Sequence, residues 1–181
     1  MSLTDAKQPV SAALAGPYGH PFHPILVTVP IGAWVSGLVF DIASHIADDP
    51  GFLSRGAEWL IAIGVIGALA AAMVGFLDLF AIPAGTRAFR VGLIHMGLNL
   101  VVTGAYVGNF FWRHGSYTNG HAVRGGPLGL AVVSLALLGV SGFLGGKLAY
   151  RYGVRVADEQ TQAEGYRSDA AGPSLAAPTA T

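Results

Sequence analysis

Five residues carry most of the chemistry this sequence offers: His20, His23, Asp78, His95 and Asn99. His20 and His23 flank a proline in Gly19-His20-Pro21-Phe22-His23-Pro24, so their imidazoles are close enough to share one ion. Pro24 suits a first helical turn, where its missing N–H is no loss, and this places His23 at the helix cap. His95 stands in an otherwise apolar window about a turn inside a membrane, where a titratable residue is a functional candidate by default. Asp78 lies five residues before Pro83 and His95 five after Arg90, so both are expected at similar depth. There Asp78 would accept a hydrogen bond from one His95 nitrogen, fix the tautomer and leave the other nitrogen a better metal ligand. Asn99, one turn beyond His95, is expected to bond to either residue or to a backbone carbonyl.

Two centres can be built from these groups. His23 and His95 facing each other across a bundle would hold a haem b, as paired imidazoles commonly do. Alternatively His20, His23, His95 and Asp78 would hold one transition-metal ion, with Asp78 and Asn99 as supporting groups. A capping His23 and a deeper His95 would differ in height by about a turn, which favours the single ion. Each functional reading has a plain structural rival. The prolines set the helix entry, the histidines sit among headgroups, and an Asp78–His95 pair only locks two helices together.

The elements that position these residues follow from composition. Of 181 residues, 52% are hydrophobic and 11% charged. Soluble domains average about 25% charged residues, so this chain is read as membrane-embedded. Four windows have the roughly 17–25 apolar residues that cross a hydrocarbon core. They are residues 24–47, 59–83, 90–113 and 127–150, within a domain spanning 20–156. Short loops make neighbouring helices antiparallel, so the expected fold is all-α, an integral membrane four-helix up-down-up-down bundle. Residues 1–19 are polar and lack the apolar run of a cleavable leader, so insertion is expected through the first span. Residues 157–181, rich in Ala, Gly, Pro, Ser and Thr, are expected to be a disordered tail.

Lys7, Arg87, Arg90, Lys147, Arg151, Arg155 and Arg167 fall on the side of the termini, against Arg55, Arg113 and Arg124 on the other. That bias expects both termini in the cytoplasm. The absence of cysteine excludes disulfides, iron–sulfur clusters and thiol nucleophiles for this chain. No phosphate loop, nucleophile elbow or zinc-protease motif is present, and no basic block points to nucleic acid.

An internal comparison adds a second layer. Shifting the first span by 72 positions aligns His23 with His95, Gly32-Ala33 with Gly104-Ala105, and Trp34 with Tyr106. The second and fourth spans share Gly75-Phe76-Leu77 and Gly142-Phe143-Leu144. A tandem duplication of a helix pair is the expectation. Helical phase puts His23, Val27, Trp34 and Asp41 on one stripe, and His95, Asn99 and Tyr106 on another, both facing inward. Gly64, Gly67, Ala71, Gly75 and Asp78 form a small-residue face on the second span; Gly139, Gly142 and Gly146 form one on the fourth. At the far rim Asp41, His45, His114 and His121 gather at the loops, and Asp41 is expected to pair with Arg113.

His20-Pro21-Phe22-His23-Pro24, Pro30-Ile31-Gly32, Gly75-Phe76-Leu77-Asp78 with Ile82-Pro83, and His95 with Asn99 together resemble an uncharacterised bacterial family of predicted membrane proteins with a domain of unknown function. The resemblance covers about Gly19 to Tyr150. Some relatives are joined to a Rieske-type iron–sulfur domain, which implies quinone or electron-transfer chemistry in a bacterial inner membrane. The leading expectation is thus a haem- or metal-binding small electron-transfer subunit that is not an enzyme by itself. A structural accessory subunit of a larger membrane complex is its near rival. A solute or proton pathway along His23, Trp34 and Asp41 is the third. Lipid is the expected partner, and the glycine-rich faces would serve either a homodimer or packing within one bundle.

Overall fold

The computed structural model describes residues 5–115 and 120–166, and its described residues are helical with no strand. A 3-10 turn, Asp5–Lys7, and α1, Ala12–Ala15, lead into α2, His23–Leu26. Then come α3, Thr28–Ala43; α4, Pro50–Phe80; α5, Arg87–His114; and α6, Gly125–Gly146, which runs on as a π-helical turn through Arg151. Glu159–Glu164 forms the short α7. Among the described residues, four helical stretches are long and apolar enough to cross a membrane: His23–Ala43, Pro50–Phe80, Arg87–His114 and Gly125–Arg151.

Local chemistry explains the boundaries. Pro30 has no N–H to give Leu26 and its ring crowds the preceding turn, and the helix is interrupted at Val27, between α2 and α3. The second span begins nine residues before the apolar window, because Asp49 caps it by accepting from Phe52 N–H at 3.4 Å and Pro50 fills its first turn. At about 1.5 Å per residue, α4 exceeds a hydrocarbon core of about 30 Å, so its polar first turns, with Arg55 and Glu58, reach past the apolar layer. Thr86 caps α5 by accepting from Phe89 N–H at 3.1 Å.

α3 packs chiefly on α4 and α5 chiefly on α6, with a further α4–α5 seam and a thinner α3–α6 contact. Trp34, Ile61, Val102, Tyr106 and Ala131 form the buried core. Lipid is as apolar as leucine, so close fit rather than burial must hold these helices together. Glycines on α4 supply that fit. An added Cβ at Gly64 would lie 2.2 Å from Trp34 Nε1, and one at Gly67 2.6 Å from Val29 Cγ1. A Gly64→Ala variant is therefore expected to lose about 1–3 kcal/mol through overpacking. Gly139→Ala is expected to be near neutral, because an added Cβ there meets nothing within 4 Å. Denaturant midpoints of the two variants in mild detergent check the contrast.

The packed face of α6 differs from the expected one. Gly139 and Gly142 have open space beside them, while Ala131, Ser134 and Ser141 are buried. Serine is as serviceable a small residue as glycine between helices, and the glycine pattern pointed to the wrong side. The chain ends cross at the base of the bundle: Arg155 N–H donates to Ala6 O at 3.0 Å, and Tyr18 Oη donates to Asp158 at 3.0 Å. A hydrogen bond from Thr161 N–H, then the one from Tyr18, hold the Asp158 carboxyl below the ordinary aspartate range, so it is anionic at neutral pH. Beyond Asp158 the tail forms α7, all of whose residues are exposed; residues 167–181, including Arg167, lie outside the described residues, as do residues 1–4.

A candidate bis-histidine centre

His23 and His95 meet. Their ring centroids are 6.3 Å apart and their planes nearly perpendicular, at 83°. The expected difference in height does not arise, since the two ring centroids lie 6.3 Å apart. Phe22, not His23, is the cap, with Ile25 and Leu26 N–H both donating to Phe22 O, and His23 is the first helical residue, about 1.5 Å further along the axis.

Each ring is set by the other helix of its own pair. His23 Nδ1 donates to Ala71 O at 2.9 Å, and His95 Nδ1 donates to Ser141 O at 2.8 Å. A carbonyl only accepts, so both Nδ1 atoms carry the proton and both Nε2 atoms carry a lone pair. A glycine one turn on makes room for each ring. A Cβ at Gly75 would lie 2.9 Å from His23 Cε1, and one at Gly145 3.1 Å from His95 Cε1. The two arrangements differ in one respect. Asn99 Nδ2 lies 3.2 Å from His95 Nε2, while also donating to Ser141 Oγ at 2.8 Å and His95 O at 2.9 Å. Val27 and Ala71 stand where the first pair would need an Asn and a Ser.

The same registers recur further along the bundle. Trp34 and Tyr106 stack with centroids 4.1 Å apart and planes 11° from parallel. Trp34 Nε1 donates to Ile61 O at 3.3 Å and Tyr106 Oη to Ala131 O at 3.4 Å. Beyond them Arg113 and Asp41 form the expected pair, as a two-pronged contact with both distances 2.6 Å and both side chains 1% exposed. Arg113 Nε also donates to Asn109 Oδ1 at 2.6 Å, and Asn109 Nδ2 donates to Pro127 O at 2.9 Å. The stripe of His23, Trp34 and Asp41 thus meets its counterparts on α5. At the rim His114 pairs with Glu58 at 2.9 Å, and His45 and His121 are exposed.

His20 is exposed. Asp78 does not reach His95; its Oδ1 lies 2.8 Å from Arg155 Nε. The α4 end that carries Gly75 and Asp78 meets His23 of α2 and Arg155 near the chain end. Among the described residues, no group of three or more His, Asp or Glu side chains could hold a metal ion. Of the four expected ligands, the structure brings His23 and His95 together. Sequence reasoning missed Ser141, Asn109 and the far partner of Asp78. Ser141 and Asn109 were visible as polar residues in apolar windows; nothing in the sequence tied Arg155 to Asp78.

A model of the predicted membrane protein family DUF2231 matches residues 19–158. The chain belongs to this family. The DUF2231 match runs from Gly19, ahead of the first histidine, to Asp158, so it takes in all four spans, the histidine pair and Arg155, while the N-terminal partners of Arg155 precede it. No curated protein and no solved structure matches the chain.

Proposed function

We propose that this DUF2231 protein is a small electron-transfer subunit that holds one metal centre, a haem b iron or a single transition-metal ion, between His23 and His95. The observation that carries the reading is the matched pair of imidazoles, each held through Nδ1 on a backbone carbonyl, with ring centroids 6.3 Å apart. Two imidazoles bound on opposite sides of one metal at about 2.0–2.1 Å per bond hold their ring centres roughly 6 Å apart. Donation of Nδ1–H to a carbonyl is the usual support for a metal-bound histidine and raises the basicity of Nε2. Asn99 is no obstacle, since Ser141 Oγ and His95 O satisfy its amide once it turns from Nε2.

The surrounding frame fits a duplicated helix pair in up-down-up-down order. His23–His95, Trp34–Tyr106 and Asp41–Arg113 are each 72 positions apart, and Ile61, Ala71 and Gly75 precede Ala131, Ser141 and Gly145 by 70, a register in which Gly75 matches Gly145 rather than the Gly142 of the shared Gly-Phe-Leu run. The lysine and arginine bias supports an inner-membrane protein with cytoplasmic termini, which puts the centre near the cytoplasmic face.

The test is an absorbance spectrum and elemental analysis of the full chain purified from its own membranes in mild detergent, oxidised and then reduced with dithionite. A sharpened α band on reduction, or about one transition-metal ion per chain, is the expected result. A colourless, metal-free protein that also fails to take up added haemin, copper or zinc overturns the reading. That outcome supports an accessory packing subunit instead, which the fully satisfied Asp41–Arg113–Asn109 network independently favours.

A further inference from the structure

The crossing of the chain ends is built around one side chain. Arg155 is buried and adopts a left-handed backbone conformation, φ 59°, rare for a residue with a Cβ. Its backbone N–H donates to Ala6 O, and its guanidinium donates to Lys7 O at 3.4 Å, Ala15 O at 3.0 Å and Gly16 O at 2.8 Å. Its Nε faces Asp78, the only ionised residue in the apolar window of α4. A non-glycine residue in a strained conformation persists only where its surroundings over-determine it. Here three segments do so: the N-terminal stretch, the C-terminal stretch and the end of α4.

That junction sits beside the histidine pair. Asp78 is three residues beyond Gly75, whose space the His23 ring fills. Ala15 O, held by Arg155, also accepts from Phe22 N–H at 3.1 Å, and Phe22 directly precedes His23. A second tie, between Tyr18 and Asp158, spans the same crossing, with Asp158 N–H donating back to Tyr18 Oη at 2.6 Å. A packing role alone would need neither a charge buried at a membrane edge nor a guanidinium spread over four backbone carbonyls or carboxylates.

We propose that the crossed chain ends are a strap closing the terminal-side approach to His23 and His95, and that the Arg155–Asp78 ion pair is its latch. Releasing the latch opens His23 to solutes from that side while the aromatic stack and the Asp41–Arg113 pair keep the rest of the bundle closed. The strap holds whether or not a metal centre forms, so it stands apart from the proposed function.

The experiment is timed modification of the full-length protein with diethylpyrocarbonate, read site by site by mass spectrometry. His20, exposed and outside the spans, is the internal standard. In the wild type His20 is expected to react readily and His23 slowly. In Asp78→Asn and Arg155→Gln the His23 rate is expected to rise about tenfold or more relative to His20, as a local opening would give. His114, exposed at the opposite rim, is expected to keep its rate, and the thermal midpoint of each variant reports general unfolding. Tyr18→Phe, which loosens the strap without burying an unpaired charge, is expected to give a smaller rise and serves if the latch variants fail to fold. A wild-type His23 as reactive as His20 overturns the proposal. So does a His23 rate that stays within about twofold of wild type in folded latch variants and in Tyr18→Phe.

Discussion

An Arg113→Leu variant is expected to lose about 3–5 kcal/mol of stability, because it strands the Asp41 carboxylate where the pair is now almost fully buried. Both carboxylate oxygens accept from Arg113 at 2.6 Å, and the two side chains are each 1% exposed. With the guanidinium gone, Ser44 offers no replacement, since its hydroxyl donates to the Asp41 backbone carbonyl rather than to its carboxylate. Asp41→Asn is expected to cost less than Asp41→Leu, because an amide can still accept one of the two bonds. The exchanged pair, Asp41→Arg with Arg113→Asp, is expected to recover part of the loss, giving a coupling of about 1–3 kcal/mol in the double-mutant cycle. The measurement is a denaturant or thermal midpoint for each variant in one detergent. If Arg113→Leu stays within about 1 kcal/mol of the wild type, the pair is a rim ornament and the α3–α5 contact rests on the aromatic stack alone.

The pair also shows why parts of this fold were legible. Asp41 and Arg113 are the charged residues nearest the same ends of two spans, and charge that cannot reach water must find charge. The same reasoning put Trp34 and Tyr106 inside and found the glycine face of α4, whose members do receive Trp34, Val29 and His23. It failed where the partner lay outside the pattern. Asp78 was matched to His95 by depth, but depth says nothing about which neighbour a helix face is turned toward, and Arg155 reaches it from beyond the last span. The far glycine stripe of α6 misled for a related reason. Glycine marks a close approach only where a neighbour comes, and the closer neighbour of α6 meets Ser134, Ser141 and Gly145. The start of α4 was hidden because hydropathy measures the lipid-facing length, whereas Asp49 and Pro50 set where the helix begins.

The histidine centre makes the sharpest demand on these details. His23→Ala or His95→Ala removes one of two ligands and is expected to abolish retention of the metal centre. Gly75→Ala is the more informative change, since it leaves both ligands in place. Its Cβ would lie 2.9 Å from both Cε1 and Nδ1 of His23, so the ring must shift and the bond to Ala71 O must break. Loss of such a supporting bond typically costs about 10–100-fold in metal affinity, and that is the effect expected in titrations of apoprotein with haemin or with copper or zinc. Gly145→Ala is expected to act more mildly, because its Cβ meets His95 Cε1 at 3.1 Å and Nδ1 only at 3.5 Å. Asn99→Ala is expected to leave affinity unchanged or raised, since it frees His95 Nε2 from the amide at 3.2 Å. A bundle that uses its histidines only for packing would order these variants differently. Gly75→Ala would change stability, and Asn99→Ala, which severs bonds to Ser141 and His95 O, would be destabilising with no metal readout to compensate. The ordering of affinity against stability across these variants therefore separates a metal centre from a lock between helices.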